Sequence, residues 1–74
     1  MPHFTLKQLK YFIAVVECQS IAEASRQQHI AQPSISIAIK TLEEMFDQQF
    51  FIRHHAQGVS ITPSGQRFYE KAKE

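Results

Sequence analysis

A mainly α fold is predicted for these 74 residues, with a three-helix core, a two-stranded β-hairpin and the start of a further helix. Three observations predict it. Two Ser/Thr-x-x-Gln/Glu signatures, Thr5-Leu6-Lys7-Gln8 and Ser20-Ile21-Ala22-Glu23, each precede residues with helical apolar spacing. A third apolar set of helical period follows Gln32-Pro33. After Asp47 the period changes, and Phe50–Arg53 and Val59–Thr62 read as β-prone runs around a glycine-containing turn.

Each element follows from its residues. Thr5 and Gln8 can satisfy the orphan N–H groups of a first helix, with Phe4 and Leu9 stapled across its start. Its buried stripe is expected at Leu6, Leu9, Phe12, Ile13 and Val16, widened by Tyr11 and Val15, to about Cys18. A short second helix begins after Ser20, turns Ile21, Ala24 and Gln28 to one side, and breaks at His29-Ile30-Ala31. Small residues at Ala24 and Ser25 let another helix approach. The third helix runs from about Gln32 to Met45 or Phe46, with Ile35, Ala38, Ile39, Leu42 and Phe46 on one face. Asp47 is expected in the left-handed position that ends it. Thr62-Pro63 reads as an N-cap with proline at the first helical position, opening a helix through Phe68, Tyr69 and Ala72.

Composition narrows the class. One small domain is expected, and the ordinary apolar and charged fractions, 43% and 20%, argue against global disorder. The single cysteine, Cys18, cannot form an internal disulfide, which points to a reducing cytoplasm. No run of about 18 apolar residues is present and no signal peptide is read, so no membrane role is expected. A net charge of +1 says little about nucleic acid, but its distribution says more. Residues 24–42 and 48–69 contain no acid, while Arg26, Lys40, Arg53, His54, His55 and Arg67 fall within them.

A short helix, a tight turn and a longer helix make a helix-turn-helix, here about residues 21–40, with the hairpin at about 50–62 as a wing. In such proteins the second helix enters the major groove and its N-terminal residues meet base edges. The outward face offers Gln32, Pro33, Ser34, Ser36, Ile37 and Lys40. Glutamine can pair in two places with adenine, serine both donates and accepts, and an apolar side chain packs on a thymine methyl. An alternative for Ile37 is contact with the wing or with a neighbouring subunit.

The stretch "LKQLKYFIAVVECQSIAEASRQQHIAQPSISIAIKTLEEMFDQQFFIRHHAQGVSITPSG" resembles the N-terminal DNA-binding domain of LysR-type transcriptional regulators of bacteria. The likeness is carried by "LKQLKYFIAVVE", "QPSIS", "LEE", "FFIR" and "ITPSG", in that order. It implies a winged helix-turn-helix over residues 1–62, with 63–74 the start of a linker and dimerisation helix. It also implies homodimers or homotetramers on dyad-symmetric promoter DNA, with the protein on the nucleoid when bound. A small-molecule effector would bind a C-terminal domain that lies outside these residues, so no cofactor is expected here. Residue by residue, the likeness assigns Gln32, Pro33, Ser34 and Ser36 to the groove, Lys40 to the backbone, Arg53 to the lead into the wing, and Ser20 to a phosphate.

Four positions depart from the family pattern. Ile37 stands where arginine is common, Gln28 where leucine is common, Asp47 where glycine is usual, and "RHHAQG" has less arginine than most wings. Fewer neutralised phosphates imply a shallower salt dependence.

Other chemistry finds little support. His3, His29, His54, His55 and Cys18 include no pair with zinc-finger spacing, so no metal site is expected. His54 and His55 are read instead as solvated wing residues near DNA, open to protonation beside phosphate. Neither a glycine-rich phosphate loop nor a nucleophile motif is present, and no catalytic residue is assigned. Two classes remain: sequence-specific DNA binding, and a protein-docking module, which the low net charge would suit.

Overall fold

The computed structural model describes residues 4–54 and 58–74. Helix α1, Leu6–Cys18, opens on a closed capping box: Thr5 Oγ1 accepts the Gln8 N–H at 3.0 Å, and Gln8 Oε1 accepts the Thr5 N–H at 2.9 Å. Helix α2, Ile21–Gln28, is capped from one side only. Ser20 Oγ accepts the Glu23 N–H at 3.1 Å, but the Glu23 carboxylate pairs with Arg26 in place of the return bond expected of a full box. Helix α3 spans Gln32–Phe46. These three helices end on left-handed residues, Gln19, His29 and Asp47, so the position expected for Asp47 is observed.

Strands β1, Phe51–His54, and β2, Gly58–Ile61, pair antiparallel with Phe51 opposite Ile61 and Arg53 opposite Val59. The expected turn between them includes His55, Ala56 and Gln57, which lie outside the described residues, as does His3. Helix α4, Pro63–Ala72, starts at a Thr62 cap that accepts the Gly65 N–H at 3.0 Å.

The core sits where α1, α2 and α3 meet the hairpin. Phe12, Val15, Ala24, Ile35, Ile39, Leu42, Phe50 and Phe51 are buried there. Aromatic rings bind the hairpin and α4 to the helices: Phe50 stacks on Phe68 at 4.9 Å, and Phe12 meets Phe68 edge-on at 4.9 Å. Phe4, expected to staple Leu9, lies against Phe46 and Phe68 at 5.9 and 6.0 Å.

One core expectation is corrected. Leu6 is 84% exposed, and the buried line of α1 runs through Phe12, Ala14 and Val15. The cause lies opposite. Leu6, Leu9 and Ile13 line a depression whose far wall is Gln27 and Gln28, where an amide replaces the apolar side chain that would cover them. The Gln28 amide instead donates to Gln27 Oε1 at 3.3 Å.

Two glycines set the positions of the wing and α4. Gly58 has φ +91°, and a Cβ there would overlap the Gln19 carbonyl oxygen, the atom that accepts the Val59 N–H at 3.2 Å. The wing root therefore rests on the left-handed turn between α1 and α2. At Gly65 a Cβ would overlap the Phe50 carbonyl oxygen and crowd Ile61. That oxygen accepts the Thr62 N–H at 2.9 Å, so α4 starts in contact with the backbone entering β1.

Candidate nucleic-acid interface

The two faces of α3 differ sharply. Ile35, Ala38, Ile39 and Leu42 are buried, while Gln32, Pro33, Ser34, Ile37 and Lys40 are exposed. A helix in the molecule's own core needs the first face. The second face is left to solvent along its N-terminal half. Ser36 is half-buried, between the two faces.

The tip of α3 is built unlike the other helix starts. Helices α1, α2 and α4 receive a hydroxyl cap from Thr5, Ser20 and Thr62. Ala31 precedes α3 and supplies none, and Pro33 contributes no N–H. The Ser34 N–H turns back to the Ala31 carbonyl at 3.0 Å. The positive end of the helix dipole thus meets no side-chain acceptor among the described residues.

Beside this tip runs a cleft of about 360 Å³ between the wing and the starts of α2 and α3. Ser20, Ile21, Ala22, Gln32, Arg53, His54, Gly58 and Val59 line it, and no carboxylate is among these. Four of the residues singled out in the sequence, Ser20, Gln32, Arg53 and His54, therefore come together although they span 35 positions of chain. Strand alternation accounts for Arg53. Phe51 and Arg53 share one face of β1, so burying Phe51 turns Arg53 towards the helices. His54 takes the other face, where its Nε2 lies 2.6 Å from Ser60 Oγ.

Lys40 stands apart. It lines a shallow surface with Glu43, Glu44 and Asp47, whose charges oppose its own. Arg26 is likewise offset by Glu23. Ile21, Ala22 and Val59 were not anticipated in the cleft, and Gly58, read in the sequence only as the glycine of the hairpin turn, is the point of close approach to Gln19. Among the described residues no group of three or more His, Cys, Asp or Glu could hold a metal ion.

Glu17, in the last turn of α1, accepts hydrogen bonds from Tyr69 of α4 and from Lys73, the residue that caps it, each at 3.1 Å. The hydrogen bond from Lys73, then that from Tyr69, hold its carboxyl below the ordinary glutamate range, and the same contact raises Lys73. No helix among the described residues is long and apolar enough to cross a membrane.

Known proteins share both sequence and shape. The nitrogen assimilation regulatory protein nac of Klebsiella aerogenes is 41% identical over 92% of this chain, and the transcriptional regulator ClcR of Pseudomonas putida 43% identical over 90%. This chain spans 22% of each of those proteins. Among solved structures, a complex of the CbnR DNA-binding domain with DNA superposes at a TM-score of 0.91 with 36% identity, covering 95% of this chain and 79% of that one. HinK, a LysR family transcriptional regulator from Pseudomonas aeruginosa, superposes at 0.84 with 58% identity, covering 96% of this chain and 23% of its own. A family model described as bacterial regulatory helix-turn-helix protein, lysR family, matches residues 6–66. The chain belongs to that family.

Proposed function

We propose that this chain binds double-stranded DNA in a sequence-selective way, as the DNA-binding part of a transcriptional regulator and not as an enzyme. The observation that carries this reading is the unclosed N-terminal tip of α3, exposed at Gln32, Pro33 and Ser34, beside a carboxylate-free cleft holding Arg53 and His54. A rod of this kind enters a major groove tip first, with Gln32, Ser34 and Ile37 towards base edges. Ser20, Arg53 and His54 then lie towards the backbone or minor groove, and Lys40 contributes less than its charge suggests. The CbnR DNA-binding domain, which this chain resembles in shape and sequence, was solved in complex with DNA, and this supports the DNA-binding reading.

The remaining parts of the reading concern the whole protein. Residues 1–62 form the binding domain, and 63–74 begin a linker helix through which copies pair as homodimers or homotetramers on dyad-symmetric promoter DNA. A small-molecule effector acts on a separate C-terminal domain, and the protein works in the cytoplasm.

The test is a mobility shift with duplexes selected from a random-sequence pool, repeated at several salt concentrations. Ser34→Glu is the informative variant. It is exposed in the first turn of α3, where an acid favours the helix, so lost binding reports repulsion by DNA and not unfolding. Selective retardation that Ser34→Glu abolishes is expected, with a shallow salt slope. No retardation at low salt would overturn the reading.

A further inference from the structure

Ile37 is 65% exposed in the middle of α3. Its neighbours one turn away on the same side, Pro33, Ser34 and Lys40, are also exposed, and none is a large apolar group. Among the described residues the other exposed large apolar side chains, Phe4, Leu6 and Ile52, belong to α1, its approach and the wing. Ile37 is not among the residues packed against the core. Among the described residues nothing accounts for it. A β-branched residue gives a helix surface no advantage over the lysine, glutamine or arginine it could carry.

The surroundings decide what Ile37 suits. A protein-docking surface presents a contiguous apolar patch of several hundred Å². A lone isoleucine ringed by serine, proline and lysine is not that. The floor of a DNA major groove has the complementary pattern: donors and acceptors throughout, with one apolar feature, the C5-methyl of thymine. Cytosine methylated at C5 places the same group at the same point of the groove. Isoleucine in a helix holds essentially one χ1 rotamer, so little freedom is lost when it is covered. It also has no donor or acceptor, and an unmethylated C·G pair beneath it would lose water without gaining a partner.

We propose that Ile37 reads the C5-methyl group of a pyrimidine in the major groove, whether thymine or 5-methylcytosine, and makes binding respond to that single methyl. This rests on the DNA-binding reading above and assigns one position of the site to a hydrophobic contact. It also makes the protein sensitive to cytosine C5 methylation at that position.

The experiment starts from a duplex selected out of a random pool by the wild-type protein. Each thymine in turn is replaced by deoxyuridine, which removes only the methyl, and affinities are measured for wild type and Ile37→Ala. At one thymine position the wild type is expected to bind about fourfold more weakly, the effect of uncovering one methyl group. Ile37→Ala is expected to bind the thymine duplex about fourfold more weakly than wild type, the same contact being lost, and to ignore that replacement. With C·G at that position, methylating the cytosine is expected to restore most of the wild-type affinity. Tolerance of every deoxyuridine, or the same penalty in Ile37→Ala, would overturn the inference while leaving DNA binding intact. Failure to retain any duplex would remove both.

Discussion

Glu43 holds the backbone of Phe50: one carboxylate oxygen accepts the Phe50 N–H at 2.8 Å and the neighbouring Phe51 N–H at 3.2 Å. A half-buried acid near the end of α3 thus satisfies two donors on buried residues where the chain enters the wing. The contact joins the helix offered to solvent with the hairpin beside it. Removing the acceptor leaves both donors without a partner. Glu43→Ala is expected to lower Tm by about 5 to 15 °C, with Glu43→Gln between the two because it keeps one carbonyl oxygen. Thermal denaturation followed by circular dichroism checks it, and equal melting of wild type and Glu43→Ala would refute it.

Gly65 gives a test of sign. Alanine is the better helix former, so propensity alone predicts that Gly65→Ala stabilises α4. The added Cβ would overlap the Phe50 carbonyl oxygen, a backbone atom that cannot swing aside. Close packing wins over propensity here, and the variant is expected to lose about 1–3 kcal/mol in urea unfolding. A gain would show that α4 can shift freely.

Gln28 is expected to improve the protein when made apolar. Gln28→Leu would place hydrocarbon in the depression walled by Leu6, Leu9 and Ile13. Covering even part of a side chain there is worth about 1 kcal/mol, or several degrees in Tm for a domain of this size. No rise in Tm would mean that the depression stays wetted.

The tie between Glu17 and Lys73 has a defined pH window. Glu17 is held below its ordinary 4.5, so its contribution is present above 4.5 and lost as pH falls through the lower folded value. Lys73 is raised above its ordinary 10.5, so the tie persists below 10.5 and is lost as pH rises through the higher folded value. Both groups are solvent-exposed and the effect is small. The difference in Tm between wild type and Glu17→Gln is expected to be present near neutrality and to vanish in strong acid. A difference independent of pH would place the effect elsewhere.

Much of this was legible in the sequence because the signals were local. Capping hydroxyls, proline at helix starts and helical spacing named the elements, and the outward face of α3 followed from its buried one. Legibility failed where partners were distant. Leu6 fits the stripe of α1 by spacing, but its exposure depends on Gln28 twenty-two positions away. Glu43 stands beside Glu44 in the sequence, and only the path of the chain to Phe50 gives it a task. The cleft that gathers Ser20, Gln32, Arg53 and His54 depends on strand register and on the close fit of Gly58, neither of which the pattern of residue types fixes.

Helix α4 is gripped twice, at its start where Gly65 meets Phe50 and near its end where Lys73 and Tyr69 meet Glu17. A rod held at two points acts as a handle. Of the two holds the exposed one at Glu17 is the weaker, so a turn of α4 would be passed to the rest of the domain mainly through the stacked rings of Phe50 and Phe68.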